Sequence, residues 1–137
     1  MQLHPSDAQR DWLDDRVRGD QFLLFCFEGP AGDPDRLVAE LRRRASAVAE
    51  LRLHAVAVPG DLDYPYWAAG PVGADRFVVH RLPDPSWPGV QEALGELLTD
   101  RLDIRASPWR LHLLPGVTGA PRCRPRPQPL SCCRFRT

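Results

Sequence analysis

Prolines limit what this chain can fold into more than any other feature of the sequence. The 137 residues include 15 prolines, and proline disfavours helix interiors and central strands because its nitrogen carries no hydrogen. The longest apolar run between them, residues 22–27, is far too short to cross a membrane. The sequence therefore predicts several short helices and strands and no transmembrane segment.

Three segments carry helical signals. Asp33 is a good N-cap and Pro34 suits the first position of a helix. Apolar residues then recur at helical spacing, while the arginines at 42–44 fall largely on the other face, which predicts a solvated charged surface. A second main helix is predicted at about 86–99, and a short helix at 6–16.

Four segments carry strand signals, at 21–27, 51–58, 75–80 and 109–114. The first is apolar throughout, so we predict a strand buried on both faces with Cys26 as a small buried side chain. The second and fourth alternate and end at Pro-Gly pairs. The order strand, helix, strand, strand, helix, strand indicates an α+β or mixed α/β domain.

The last sixteen residues differ in character from the rest. Residues 1–121 hold 13 Arg and 18 acidic residues, a net charge of −5, whereas 122–137 hold five Arg and no acid, a net charge of +5. Three prolines in alternate positions exclude helix and a central strand there. We therefore predict an ordered segment at 1–121 and a disordered tail at 122–137.

Several short motifs in order resemble those of the wax ester synthase/diacylglycerol acyltransferase family. Leu3-His-Pro-Ser-Asp7 resembles the family's Leu-x-Pro-x-Asp opening, and Phe27-Glu-Gly-Pro30 looks like the end of its first long strand. Residues 51–59 and 75–83 are similar to two further strands, and Leu102-Asp103 with Trp109 match the spacing of a Leu-Asp-x-x-Arg-Pro-Leu-Trp motif. The resemblance marks seven residues for structural roles: Leu3, Pro5, Asp7, Gly29, Pro30, Asp103 and Trp109.

The resemblance implies both a fold and a reaction. The fold would be part of a half-domain like those of chloramphenicol acetyltransferase and condensation domains, with a mixed sheet and two main helices. The reaction would be acyl transfer from acyl-CoA, as co-substrate, to a diacylglycerol or a long-chain alcohol, in triacylglycerol or wax ester synthesis. We would then expect a cytoplasmic protein, with association at membrane or lipid-droplet surfaces and no nucleic-acid partner.

The departures from the family pattern concern the catalytic part. In the Leu-Asp…Trp motif, Ala106, Ser107 and Pro108 replace Arg, Pro and Leu. Gly116-Val-Thr-Gly119 resembles the family's hairpin, but we expect neither the returning strand nor the His-His-x-x-x-Asp-Gly loop after it. The hypothesis is a frameshifted or truncated gene whose product is a fragment, inactive alone, and the adjacent DNA read in the other frames tests it.

No residue is assigned a catalytic or metal-binding role. His4, His54, His80 and His112 are each interpreted as structural or surface residues. The cysteines at 26, 123, 132 and 133 form no CxxC pair, so neither a metal site nor a disulfide framework is predicted. The acid pairs at 14–15 and 61–63 are interpreted as surface positions, and Trp67, Trp87 and Trp109 as packing anchors.

Two other function classes stay open. The chain could be a small α+β binding or regulatory module whose basic tail contributes to the binding of a partner or an anionic lipid. It could also be a different acyltransferase of the same superfamily, closer to a condensation enzyme. The opening motif and Phe27-Glu-Gly-Pro30 favour the wax ester synthase/diacylglycerol acyltransferase family over the condensation enzymes.

Overall fold

A computed structural model of the protein describes residues 1–13, 16, 20–30, 32–121 and 130–136, and for Arg10, Asp61 and 130–136 it describes the backbone alone. The three helices are α1 (Pro5–Leu13), α2 (Pro34–Ala47) and α3 (Trp87–Leu97). The six strands are β1 (Phe22–Glu28), β2 (Leu53–Val56), β3 (Tyr66–Ala69), β4 (Phe77–Val79), β5 (Arg110–Val117) and β6 (Leu130–Arg136). The predicted α+β class, with α2 and α3 as main helices, is confirmed.

The strands form one mixed sheet and one hairpin. The four-stranded sheet has the order β1-β6-β5-β4. β6 pairs antiparallel with both β1 and β5, while β4 and β5 are parallel and are connected through α3. β2 and β3 form a separate antiparallel pair, to which the N-terminus adds a bridge between Gln2 and Tyr66.

Two apolar clusters cover opposite faces of β5. Leu111 and Leu113 pack in a cluster with Phe77 of β4 and Ala45 of α2. Leu114 packs with Val90 of α3 in the second cluster. Alternate residues of a strand point to opposite faces, so α2 lies over one face of β5 and α3 contacts the other.

The capping signal of α2 is confirmed. The Asp33 carboxylate accepts a hydrogen bond of 3.0 Å from the Asp35 N–H, and Pro34 is the first residue of the helix. Exposed Arg43 and Arg44 both bind Glu40, and these bonds lower the pKa of that carboxyl to about 2. Arg42 is the exception on this face, because its Nε donates to the Val72 carbonyl.

The prediction that β1 is buried on both faces is wrong. Six of its seven residues are exposed, Cys26 among them, and Phe27 is 53% exposed. β1 is the terminal strand of the sheet, and neither α2 nor α3 shares a core cluster with it. An apolar run shows that a strand can be buried but not whether another layer covers it.

Two strands differ from the sequence prediction. Residues 66–69, for which no strand was predicted, form β3, and β5 continues through Pro115 and Gly116 to Val117. Residues 130–136 belong to the predicted tail, and their backbone forms β6, which pairs antiparallel with β1 and β5. The tail prolines all lie before residue 130, so they do not interrupt that strand. Residues 122–129 lie outside the described residues.

Candidate functional site

Two histidines far apart in sequence meet on the sheet. His80 follows β4 directly and donates its backbone N–H to the Leu113 carbonyl, at 2.8 Å. His112 lies in β5 and is 3% exposed. It belongs to the face of β5 opposite the one that carries Leu111 and Leu113. The His80 Nε2 lies 2.8 Å from the His112 Nδ1, and the two rings stack with centroids 5.1 Å apart. The parallel pairing of β4 with β5 creates this contact.

The short nitrogen–nitrogen distance constrains the protonation of the pair. One nitrogen must donate and the other must accept, so the two rings cannot both be cationic without facing two donors. Burial lowers the pKa of His80 and favours its neutral form. A single proton therefore lies between the two bonded nitrogens, His80 Nε2 and His112 Nδ1. Within the described ranges, no group of three or more metal-ligating residues is present.

The sequence around His80 carries a signal that the interpretation above missed. His80-Arg-Leu-Pro-Asp84 has the His-x-x-x-Asp spacing of the His-His-x-x-x-Asp-Gly loop named above, although Pro85 follows in place of Gly. The two Asp84 carboxylate oxygens accept bonds from the backbone and the hydroxyl of Ser86, at 2.9 and 2.7 Å. These bonds lower the pKa of Asp84. Asp84 thus organises the start of α3, and the structure shows no bond from it to His80.

Trp109 is the centre of a second polar arrangement. Its indole N–H donates to the Leu51 carbonyl at 2.9 Å, and the same oxygen accepts a 2.7 Å bond from buried Arg76. The Arg76 guanidinium lies 5.1 Å from the centre of the Trp109 ring, and Phe77 meets that ring edge-on. Burial lowers the pKa of Arg76. This arrangement ties β5 to the turn before β2.

The N-terminal motif lies against the β2–β3 hairpin. Leu3 is buried and donates its N–H to the Pro65 carbonyl at 2.9 Å. Pro5 begins α1, and Asp7 lies in its first turn, exposed to solvent. A 3.1 Å ion pair between Asp11 and Arg105 joins this helix to the loop that carries the next motif.

The remaining motif residues lie apart from one another. Asp103 is exposed, and its carboxylate accepts a 2.8 Å bond from the Arg105 N–H within its own turn. Gly29 and Pro30 follow the end of β1. The seven motif residues therefore do not converge on one site, and their functional roles stay predictions.

The other candidates lie at separate places. His4 is exposed and bonds Ser6, while half-buried His54 lies in β2 beside Gly70. Asp63 accepts a bond from the Tyr66 hydroxyl, which raises the pKa of Tyr66. Trp87 packs against the apolar cluster that contains Val90 and Leu114. The acid pair at 14–15 lies outside the described residues.

Comparison with solved structures shows the fold. The wax ester synthase/diacylglycerol acyltransferase from Marinobacter aquaeolei VT8 matches with a TM-score of 0.67 and 20% identity, over 100% of this chain and 34% of that one. The SgcC5 protein from Streptomyces globisporus matches with 0.56 and 17%, over 86% and 25%. A structure of condensation domain-mediated chain release from the enacyloxin polyketide synthase matches with 0.51 and 16%, over 98% and 26%.

No family model and no curated protein sequence matches this chain. It spans between a quarter and about a third of the length of the solved structures that it resembles. Among the described residues no helix is long and apolar enough to span a membrane. The chain has the mixed α+β fold of part of a condensation-domain-like or acyltransferase-like structure.

Proposed function

We propose that this chain corresponds to the N-terminal part of an acyl-CoA-dependent O-acyltransferase that acts on a diacylglycerol or a long-chain alcohol. The observation that carries this proposal is the match of the whole chain to a wax ester synthase/diacylglycerol acyltransferase at a TM-score of 0.67. The order of the short motifs from Leu3 to Trp109 supports the same enzyme family.

In such a reaction, we expect this segment to give structural support to the active site and not to supply the general base. An alcohol oxygen is a weak nucleophile at neutral pH and needs a positioned base, for which histidine suits best. His112 is 3% exposed and His80 shares its Nε2 with it, so neither bonded nitrogen is open to a substrate hydroxyl. The chain alone is therefore expected to be inactive.

The test compares two reading frames. DNA downstream of codon 121 is read in the other frames for a His-His-x-x-x-Asp-Gly sequence, and a restored-frame protein is then expressed beside the present chain. We expect release of CoA from acyl-CoA with a diacylglycerol or long-chain alcohol by the restored protein, and release at the buffer rate by the present chain. Absence of the motif in every frame, or a folded restored protein without transfer, would count against the proposal.

The second candidate is a binding module for anionic lipid surfaces, favoured by the net charge of +5 over residues 122–137. Deletion of the tail is a poor test, because β6 lies between β1 and β5. Arg122, Arg124 and Arg126 precede β6, so their replacement by Gln changes no residue of that strand. Salt-sensitive sedimentation with anionic vesicles that these replacements abolish would support a lipid-binding role, whereas equal sedimentation of both proteins would remove it.

A further inference from the structure

The register between β1 and β6 brings two cysteines face to face. In this antiparallel pair, Cys26 lies directly opposite Cys132. The flanking pairs are Phe25 with Cys133 and Phe27 with Ser131, so the register holds on either side of the cysteines. These two residues are 106 positions apart in sequence, and no short motif connects them.

Directly opposed residues in antiparallel strands meet the distance requirement of a disulfide. Their Cα atoms lie about 4.5 or about 5.5 Å apart, depending on whether the pair exchanges hydrogen bonds. A disulfide requires Cα atoms about 4.4 to 6.8 Å apart, and both values fall in this range. Opposed register positions also belong to the same face of the sheet, whereas a neighbour one position along belongs to the other.

β6 is held in the sheet by its backbone pairing with β1 on one side and with β5 on the other. A covalent bond between Cys26 and Cys132 would add a permanent link on the β1 side.

We propose that Cys26 and Cys132 form a redox-responsive disulfide that fastens β6 to β1. Cys26 is exposed, so its thiolate attacks a low-molecular-weight disulfide first, forms a mixed disulfide and releases one small thiolate. The Cys132 thiolate then attacks the Cys26 sulfur and releases the second small thiolate. The two protein thiols lose one proton each to solvent, the two released thiolates take up one each, and the small disulfide is reduced to two thiols.

The test is oxidation of the purified full chain with oxidised glutathione, followed by mass spectrometry and peptide mapping without reductant. We expect an intramolecular product lighter by two hydrogen atoms, with the linked peptides containing Cys26 and Cys132. The chain offers matched controls in Cys123→Ser and Cys133→Ser, which should keep the cross-link. Cys26→Ser and Cys132→Ser should lose it.

Several outcomes would overturn the proposal. A link from Cys26 to Cys133 would mean a register shifted by one residue, and a link to Cys123 would mean a different path of the chain. Dimers joined through Cys26, or a fully reduced monomer after oxidation, would also contradict it. Circular dichroism of each serine variant excludes misfolding as the cause of a lost link, and mapping of the wild-type protein needs no variant at all.

Discussion

The contact between His80 and His112 couples two titratable rings to the pairing of two strands. His80 lies one position beyond β4, which has three residues and ends the sheet. A pair with both rings cationic would replace its hydrogen bond with two opposed donors, whereas one cationic ring can still donate to the other. Protonation of both rings therefore acts against the β4–β5 pairing that positions them.

Stability should consequently fall as the solution is acidified. Burial lowers the pKa of folded His80 below its ordinary value of 6.5, so the unfolded chain binds more protons between these two pKa values. The contribution is complete above pH 6.5 and is lost as the pH falls from there through the folded pKa. Urea unfolding at a series of pH values should show a decline that His80→Gln makes shallower.

A replacement at a different histidine controls for the loss of any imidazole. His4 is exposed in the N-terminal segment, and His4→Gln should keep the wild-type dependence of unfolding free energy on pH. Measurements above pH 4.5 avoid the contribution of Glu40, whose pKa is lowered from 4.5 to about 2 and whose ion pair therefore weakens only at lower pH. A His80→Gln variant with the wild-type decline would show that the pair is not responsible.

Elements whose signals are local were predicted well from the sequence. The N-cap and first-turn proline of α2 act within a few residues of the helix start, and α3 lies within the predicted 86–99. The failures concern strands, whose state depends on distant partners. β3 forms against β2, β6 forms between β1 and β5, and the exposure of β1 depends on which elements do not cover it.

The histidine pair was unpredictable for the same reason. His80 and His112 are 32 residues apart, and only the parallel crossover through α3 brings their strands together. The alternation of His112 with Leu111 and Leu113 was visible in the sequence, but the identity of the neighbouring strand was not. The His80–Asp84 spacing was visible too, yet Asp84 turns out to bind Ser86 at the start of α3.

Two glycines of α3 should respond in opposite ways to the same substitution. A Cβ added at Gly89 would overlap the Asp84 carbonyl oxygen, which is backbone and cannot easily move, whereas a Cβ at Gly95 meets nothing within 4 Å. Gly95→Ala should stabilise the protein by about 0.5–1 kcal/mol, because alanine favours helix. Gly89→Ala should destabilise it by about 1–3 kcal/mol through strain. Denaturant midpoints measure both, and equal shifts would mean that the Asp84–Ser86 turn does not press on α3.

At the scale of the whole molecule, the apolar surface is unevenly distributed. β5 is buried on both faces, whereas the side chains of Leu23, Leu24, Phe25 and Phe27 in β1 are 41–53% exposed. The strand carries no lysine or proline, the residues with which proteins usually protect a sheet edge. Such a surface favours association with another polypeptide.

We therefore expect the purified chain to associate as its concentration rises, through β1. Lysine at position 27 should reduce this association, because a charge on the terminal strand opposes contact with a second sheet. Leu62→Lys is the matched control, since Leu62 is 87% exposed in a turn outside the sheet, and it should associate like the wild type. Size-exclusion chromatography with light scattering over a concentration series measures the mass of each protein. A wild-type chain that stays monomeric and melts in one sharp transition, or equal behaviour of Phe27→Lys and Leu62→Lys, would show that the β1 surface does not drive association.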